Sequence, residues 1–375
     1  MYLSSQVFRY VLINDSTVQQ SAWKHFQALY FLSQVTGKSG YPARSIARKD
    51  EFPPADDWFP SPTNSSLQYK GDTSSDEIVG HQFIYPLVYD YLCQDAQQCS
   101  QAYEILINIT DHIITHDWYL IGENHTHTTW GIWNPREINN NSFYQETRGL
   151  NSLQILSFLF QAYRLTKNDQ YLDRIDELIQ FYQYDVNLIN QKMIAVCDID
   201  YSDDELEYLS YFNIVYAFYR IKSSKTPSER AMKLIEHFKE YILIGIELSH
   251  KYKRMDKSPF YNWIYCYVLN QLNSSNSDCD SLISDGVWYL QRLPLELVNW
   301  QQYNSMRMDI EINQLAACLT DELYSRKVLP PDERIVHLWN GSPFRLDTGN
   351  PFYEEDPTIF LISYWGMRFY NFLEN

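Results

Sequence analysis

The sequence predicts an all-α protein built as a closed ring of helical hairpins. Three observations carry that prediction. Strand-like alternation is scarce, while apolar residues recur at helical spacing from Thr17 onward. About eleven helices of one to two dozen residues can be drawn from that periodicity. The loops between them alternate between short and long, as they do when hairpins follow one another.

Residues 1–16 are expected to form an extended lead-in, with a single helical domain over 17–375. Trp23, Phe26, Leu29, Tyr30 and Leu32 then mark one helical face between Val18 and Val35, stopped by Thr36-Gly37. Lys38 to Asp72 is rich in Pro, Ser and Asp. An irregular stretch of that length inside a compact domain is uncommon and often functional.

Ser74 and Glu77 have capping-box spacing, which places a helix start at Ser75. Asp76 and Glu77 occupy its first turn, and Asp72 lies just upstream. Free N–H groups and the positive end of the helix dipole favour carboxylates there. Glu77 and His81 are four apart and share a face. Gly80, beside that face, lets a ligand approach the backbone closely.

Further helices are expected at Gln97–Thr115, Gly149–Thr166, Gln170–Tyr184, Asp203–Ile221, Ser228–His250, Pro259–Leu272, Asp280–Leu293, Met308–Leu319 and Thr358–Phe372. The loops 122–146 and 329–357 interrupt them, and the first contains His125-Thr-His127 with Trp130 and Trp133. Ser202-Asp203-Asp204-Glu205 repeats the acidic helix start of Ser74-Ser75-Asp76-Glu77, and Glu354-Glu355-Asp356 is a looser third version. Hence the chain reads as successive hairpins of related design.

The 375 residues carry 30 basic and 47 acidic side chains, a formal net charge of −17. That balance argues against general binding of nucleic acid or anionic membrane, since phosphate contacts need clustered Lys and Arg. No apolar stretch has the length of a membrane span. Met1 opens a mixed segment with no basic start and no clean apolar run, so no signal peptide is read. Seven N-x-S/T sequons, at Asn14, Asn64, Asn108, Asn124, Asn140, Asn273 and Asn340, nevertheless lean toward secretion. The six cysteines include no C-x-x-C pair and do not form a zinc pattern. Cys93 and Cys99 suit either a short bridge or two buried thiols. His125 and His127 lack a specified third ligand, so neither a metal nor another cofactor is expected.

The segment Arg148–Ile179, RGLNSLQILSFLFQAYRLTKNDQYLDRIDELI, resembles a hairpin of (α/α) toroid proteins. An aromatic-rich helix ends in a Thr-Gly-like turn followed by an Asp/Gln-Tyr-Leu helix start. Here the turn is Thr166-Lys167-Asn168-Asp169-Gln170-Tyr171-Leu172, with Lys167 where Gly is common. The resemblance is to the six-hairpin glycosidase-like superfamily, nearest to its uncharacterised members. It implies an (α/α)6 toroid, with seven hairpins as the alternative.

In such a ring the inner helices run parallel and their N-termini gather at one mouth. Asp76, Glu77, Asp204 and Glu205 would then converge, with His81 as a proton-transfer partner. Glycoside hydrolysis needs two carboxyls about 5–5.5 Å apart for retention or 6.5–9.5 Å for inversion, one protonated and one charged. These residues are the expected catalytic set, acting on an oligosaccharide or polysaccharide. Arg44, Asp72, Trp130, Trp133, Arg148, Asn151, Tyr303, Arg307 and Trp339 are the expected substrate contacts. Two other readings stand beside glycoside hydrolysis. One is a polysaccharide lyase using Asn151, His81, Tyr303 and Arg307. The other is a non-catalytic toroid that binds glycan or protein.

Overall fold

The computed structural model describes residues 1–51, 55–191, 203–274, 278–313, 323–334 and 342–374. The chain is mostly helical, with a few small sheets, in keeping with the all-α expectation. The principal helices are α1 (Tyr2–Ile13), α2 (Ser16–Gln34), α3 (Ser75–Leu87) and α4 (Ala96–Thr115). After a short α5 (Pro135–Asn140) come α6 (Arg148–Thr166) and α7 (Gln170–Tyr182), then the one-turn α8 (Tyr184–Asn187). The rest are α9 (Asp204–Lys222), α10 (Glu229–Lys253), α11 (Pro259–Gln271), α12 (Cys279–Arg292) and α13 (Thr358–Phe369).

Two kinds of helix are present. Along α6 every residue from Gly149 to Arg164 is buried, and α3, α9 and α11 are buried on nearly every side. Helices apolar or enclosed all round belong in an interior. By contrast α2, α4, α7, α10 and α12 bury one stripe and present the other face to water. Enclosed and one-sided helices alternate along the chain, and α3 packs with α4, α6 with α7, α9 with α10 and α11 with α12.

The enclosed helices lie side by side in one direction. Phe83 of α3 packs edge-on against Phe212 of α9, whose ring in turn stacks on Tyr267 of α11. One turn earlier Tyr208 meets Tyr261. Gln161 of α6 donates to both the carbonyl and the side chain of Asn213 on α9, at 2.8 Å each. One apolar core runs through all of them, from Leu3 and Phe8 to Ile362 and Met367.

At the C-terminal ends of α3, α6 and α9 a buried carboxylate ties three elements. Pro86 lies inside α3, and the ladder widens into a π-turn at Val88–Leu92. A proline removes one helical donor and crowds the preceding turn. The π-turn carries Asp90, which receives Arg164 of α6 together with Tyr216 and Arg220 of α9.

Several expectations from sequence need correction. Residues 2–13 are helical rather than extended, because Leu3, Val7 and Phe8 give α1 an apolar face against α13. The segment 38–72 is not irregular throughout. It contains a three-stranded sheet ordered β1 (Ser45–Arg48), β3 (Leu67–Lys70), β2 (Trp58–Pro60), both pairings antiparallel. The HTHTTWGIW loop is largely a hairpin of β4 (Tyr119–Ile121) and β5 (His127–Ile132). The helix expected at Met308–Leu319 does not form over its described part, where Ile312 instead bridges Ser325. Lys167, standing where glycine is common, takes the left-handed conformation that glycine would supply, at φ 57°.

Candidate functional site

The N-terminal ends of α3 and α9 meet, and their carboxyls feel one another. At α3, Glu77 Oε2 accepts the Ser74 N–H at 2.7 Å and the Ser74 hydroxyl at 2.6 Å. Its other oxygen accepts Arg44 Nε at 3.1 Å, and Arg44 also reaches the Asp72 carbonyl at 3.3 Å. Glu77 is therefore occupied in holding the helix start to the segment before it. Asp72, at φ 50°, spends its carboxylate on the Thr129 N–H and hydroxyl, at 2.7 and 2.9 Å, and so fastens β5.

Asp76 has a different setting. Its surface is open to water, although nearby protein desolvates it. Desolvation and the neighbouring Glu77 push its carboxyl up from the ordinary value, while Ser75, Arg44 and Ser74 work in the other direction. Asp76 and Gly80 are four apart and share a face of α3. A methyl group added at Gly80 would meet nothing within 4 Å, so that face is open. The open stripe of α3 thus carries Asp76 and Gly80. Glu77 and His81, the pair expected from the sequence, lie about 100° further round.

His81 is buried, and its Nδ1 is hydrogen-bonded to the Tyr85 hydroxyl. Burial lowers its pKa to about 4, so the ring is neutral near pH 7.

The start of α9 supplies the second half. Asp203, just before the helix, sits at φ 71°, a left-handed conformation costly for a residue with a β-carbon. Asp204 and Glu207 both bind the ammonium of Lys253, at 3.1 and 2.8 Å, and Lys253 also donates to Ser249 at 3.0 Å. Burial opposes the charge on Lys253, but the two carboxylates overcome it and hold the ammonium above its ordinary value.

Glu205 has no such partner. Its Oε2 is buried and has no hydrogen-bond partner among the described residues. Desolvation raises its pKa to about 8; a backbone N–H opposes this, and Asp204, Asp203 and Asp76 add to the rise. The reach of Asp76 on α3 to Glu205 on α9 places the two helix starts at one end of the molecule.

A third element contributes Asp256, in the 3-10 turn Arg254–Asp256 just before α11. Burial and the nearby Asp204 raise its pKa to about 8, against the pull of Arg334 and Lys253. Sequence reasoning missed both Asp256 and Lys253. The available signal was an acid shortly before Ser258-Pro259, another start of an enclosed helix.

The remaining candidates divide between structural bonds and open surface. Trp133 is wholly buried and donates its indole N–H to Gln154 at 2.8 Å, so it belongs to the core. Trp130 is 46% exposed and stacks on Phe143. Asn151 donates to the Ile132 carbonyl at 2.9 Å, and Arg148 to the carbonyls of Ile138 and Asn139 at 3.2 and 3.4 Å. Tyr303 is exposed on β6 (Gln302–Tyr303), which pairs with β7 (Asp347–Thr348). Arg307 is paired with Asp309 and Glu333. Trp339 lies outside the described residues, as does Ser202 of the second acidic start.

Among the described residues no group of three His, Cys, Asp or Glu side chains is placed to hold a metal ion. No described helix is long and apolar enough to cross a membrane. No protein-family model, curated protein or solved structure matches this chain.

Proposed function

We propose that the helices form an (α/α) toroid and that its mouth is the active site of a glycoside hydrolase. The inner ring would be α1, α3, α6, α9, α11 and α13, with α2, α4, α7, α10 and α12 outside. The parallel enclosed helices and the packing of α1 on α13 support this ring.

One observation carries the functional reading: Glu205 has a buried oxygen with no hydrogen-bond partner among the described residues, and it is near enough to Asp76, on the open stripe of α3, for the two charges to interact. Glycoside hydrolysis requires two carboxyls, one holding its proton and one charged. Both of these are raised, and the enclosed Glu205 is the one raised to about 8. Glu205, held protonated at neutral pH, is the proton donor to the departing glycosidic oxygen. Asp76 is open to water; desolvation and Glu77 raise its carboxyl from the ordinary value, and Ser75, Arg44 and Ser74 work against that rise. Asp76 either stabilises the developing oxocarbenium ion or directs water to the anomeric carbon. Asp204 stays out of the chemistry, anchored on Lys253.

The lyase alternative draws less support. His81 and Asn151 are buried and bonded within the core, while Arg307 is neutralised by two carboxylates. The binding reading stands as an outcome of the test. Wild type, Glu205→Gln and Asp76→Asn are incubated with a panel of neutral and uronate glycans, reading new reducing ends and absorbance at 235 nm. Release of reducing ends by wild type, lost in both variants without loss of fold, supports hydrolysis. Absorbance at 235 nm would favour a lyase, and glycan binding without turnover a binding toroid.

A further inference from the structure

We infer that this chain is a substrate for asparagine-linked glycosylation, with Asn14, Asn64, Asn140 and Asn273 as acceptors. Two independent observations support it, and neither depends on the activity proposed for the mouth.

The first is two disulfides among the described residues. Cys93–Cys99 joins the end of the π-turn to the start of α4, and Cys266–Cys279 clips α11 to the first residue of α12. Structural disulfides form and persist in oxidising compartments and are rare where thiols are kept reduced. The eukaryotic oxidising compartment is also where oligosaccharide is transferred to N-x-S/T sites.

The second is where those sites fall in the fold. Five of the seven sequon asparagines have described side chains, at 14, 64, 108, 140 and 273, and all five are exposed. Four lie at turns or element ends. Asn14 caps α1, Asn64 is in the loop before β3, Asn140 ends α5, and Asn273 follows α11. The fifth, Asn108, is in the middle of α4 and lines a groove with Tyr30, Ser33 and the Gly37–Gly40 loop, so a glycan there would crowd α2. Left-handed backbone at Asn14 and Asn273 (φ 49° and 52°) accounts for asparagine at those two positions. It does not account for the hydroxyl residue two positions later, which the modification requires. Asn14 and Asn140 make no side-chain hydrogen bond among the described residues, and Ser16 and Ser142 are exposed beside them.

The co-reactant is a polyprenyl diphosphate-linked oligosaccharide. Asparagine Nδ2 forms a bond to the anomeric carbon as the bond from that carbon to the diphosphate oxygen breaks. The amide nitrogen loses one proton to a base on the transferase, and the polyprenyl diphosphate leaves with the electron pair.

The test uses the full chain purified from its own source. Its intact mass is measured before and after peptide N-glycosidase treatment in 18O water, followed by peptide mapping. The expected result is a loss of hexose-containing mass and 18O-labelled aspartate at positions 14, 64, 140 and 273. In the same source Ser16→Ala and Ser142→Ala keep both asparagines, and each should remove one glycan. Alkylation without reduction should leave Cys93, Cys99, Cys266 and Cys279 unlabelled. An unchanged mass, glycan confined to other asparagines, or ready alkylation of those four thiols would overturn the inference.

Discussion

Arg164 on α6 donates through one nitrogen to both carboxylate oxygens of Asp90, at 3.0 and 2.8 Å, with both side chains almost wholly out of water. Tyr216 and Arg220 of α9 complete the cluster at 2.5 and 3.1 Å. One carboxylate therefore joins the ends of three enclosed helices, at the opposite ends of α3 and α9 from Asp76 and Glu205.

Removing that charge leaves Arg164 buried without its counterion. Breaking a buried pair on one side typically costs about 3–5 kcal/mol. Asp90→Asn should lose stability on that scale in urea unfolding at pH 7. A loss under about 1 kcal/mol would show that the amide oxygen of the new side chain and water satisfy Arg164 without the charge.

Glu77 and Glu205 separate structure from chemistry. In Glu77→Gln one amide oxygen can still accept from Ser74, but the partner of Arg44 is lost. Stability should fall by about 0.5–2 kcal/mol with turnover nearly kept. Glu205→Gln should keep the fold and lose about 10²–10⁴-fold in rate. The paired readout is melting temperature and glycan turnover for each variant, and a reversal of the two patterns would move the proton donor to Glu77.

Five groups shape the pH dependence. One, the Met1 amine, is lowered by burial to about 6 and partly offsets the decline that Glu205 and Asp256 bring toward alkaline pH. Glu205 and Asp256 hold protons up to about pH 8 when folded and release them near their ordinary values when unfolded. Stability therefore falls as pH rises from about 4.5 to 8. His81 and His250 titrate near 4 and 3 when folded, against 6.5 unfolded. The unfolded chain takes up their protons first, so stability also falls as pH drops below 6.5. The two effects oppose each other between about 4.5 and 6.5, leaving a plateau with a decline on either side. Each group contributes at most about 1.4 kcal/mol per pH unit. Glu205→Gln should roughly halve the decline due to the two acids, leaving the share of Asp256, which the Met1 amine largely offsets. It should also tilt the plateau, so that stability already falls with decreasing pH between about 6.5 and 4.5 in denaturant titrations.

Gly80 tests the open stripe directly. Alanine there meets no atom and improves helix propensity, so Gly80→Ala should stabilise by about 0.5–1 kcal/mol. Gly80→Phe should fold yet obstruct that stripe, raising KM or abolishing turnover. At Gly149 the same added carbon would lie 2.5 Å from the Asn190 carbonyl, so Gly149→Ala should instead destabilise. Thermal melts of the three variants check the contrast.

Much of this was legible in the sequence where a signal is local. The Ser74–Glu77 spacing located the start of α3 to the residue, and periodicity found the long helices within a few positions. The face was harder. Asp76 and Glu77 are neighbours on a first turn, and only packing decides which of them is enclosed by Arg44 and Ser74. The first helix was hidden because Ser4, Ser5 and Gln6 are buried although polar, which blurs the stripe set by Leu3, Val7 and Phe8. Trp133 looked like a sugar platform until its N–H found Gln154. Asp256 joins Asp204 only across the fold, which no spacing along the chain reveals.

The seating of α1 on α13 also bears on the order of assembly. Phe8 rests between Phe369, Tyr370 and Trp263, with ring centroids 4.8, 5.9 and 6.4 Å away. During translation Phe8 leaves the ribosome about 360 residues ahead of its partners Phe369 and Tyr370. The greasy side of α1 must wait, uncovered, while nearly every other helix is made. Closing a contact of such long range is slow and comes at high entropic cost. Nascent chains stalled before Thr358 should accordingly bind hydrophobic dyes and holdase chaperones through their opening helix, and lose that binding once α13 emerges.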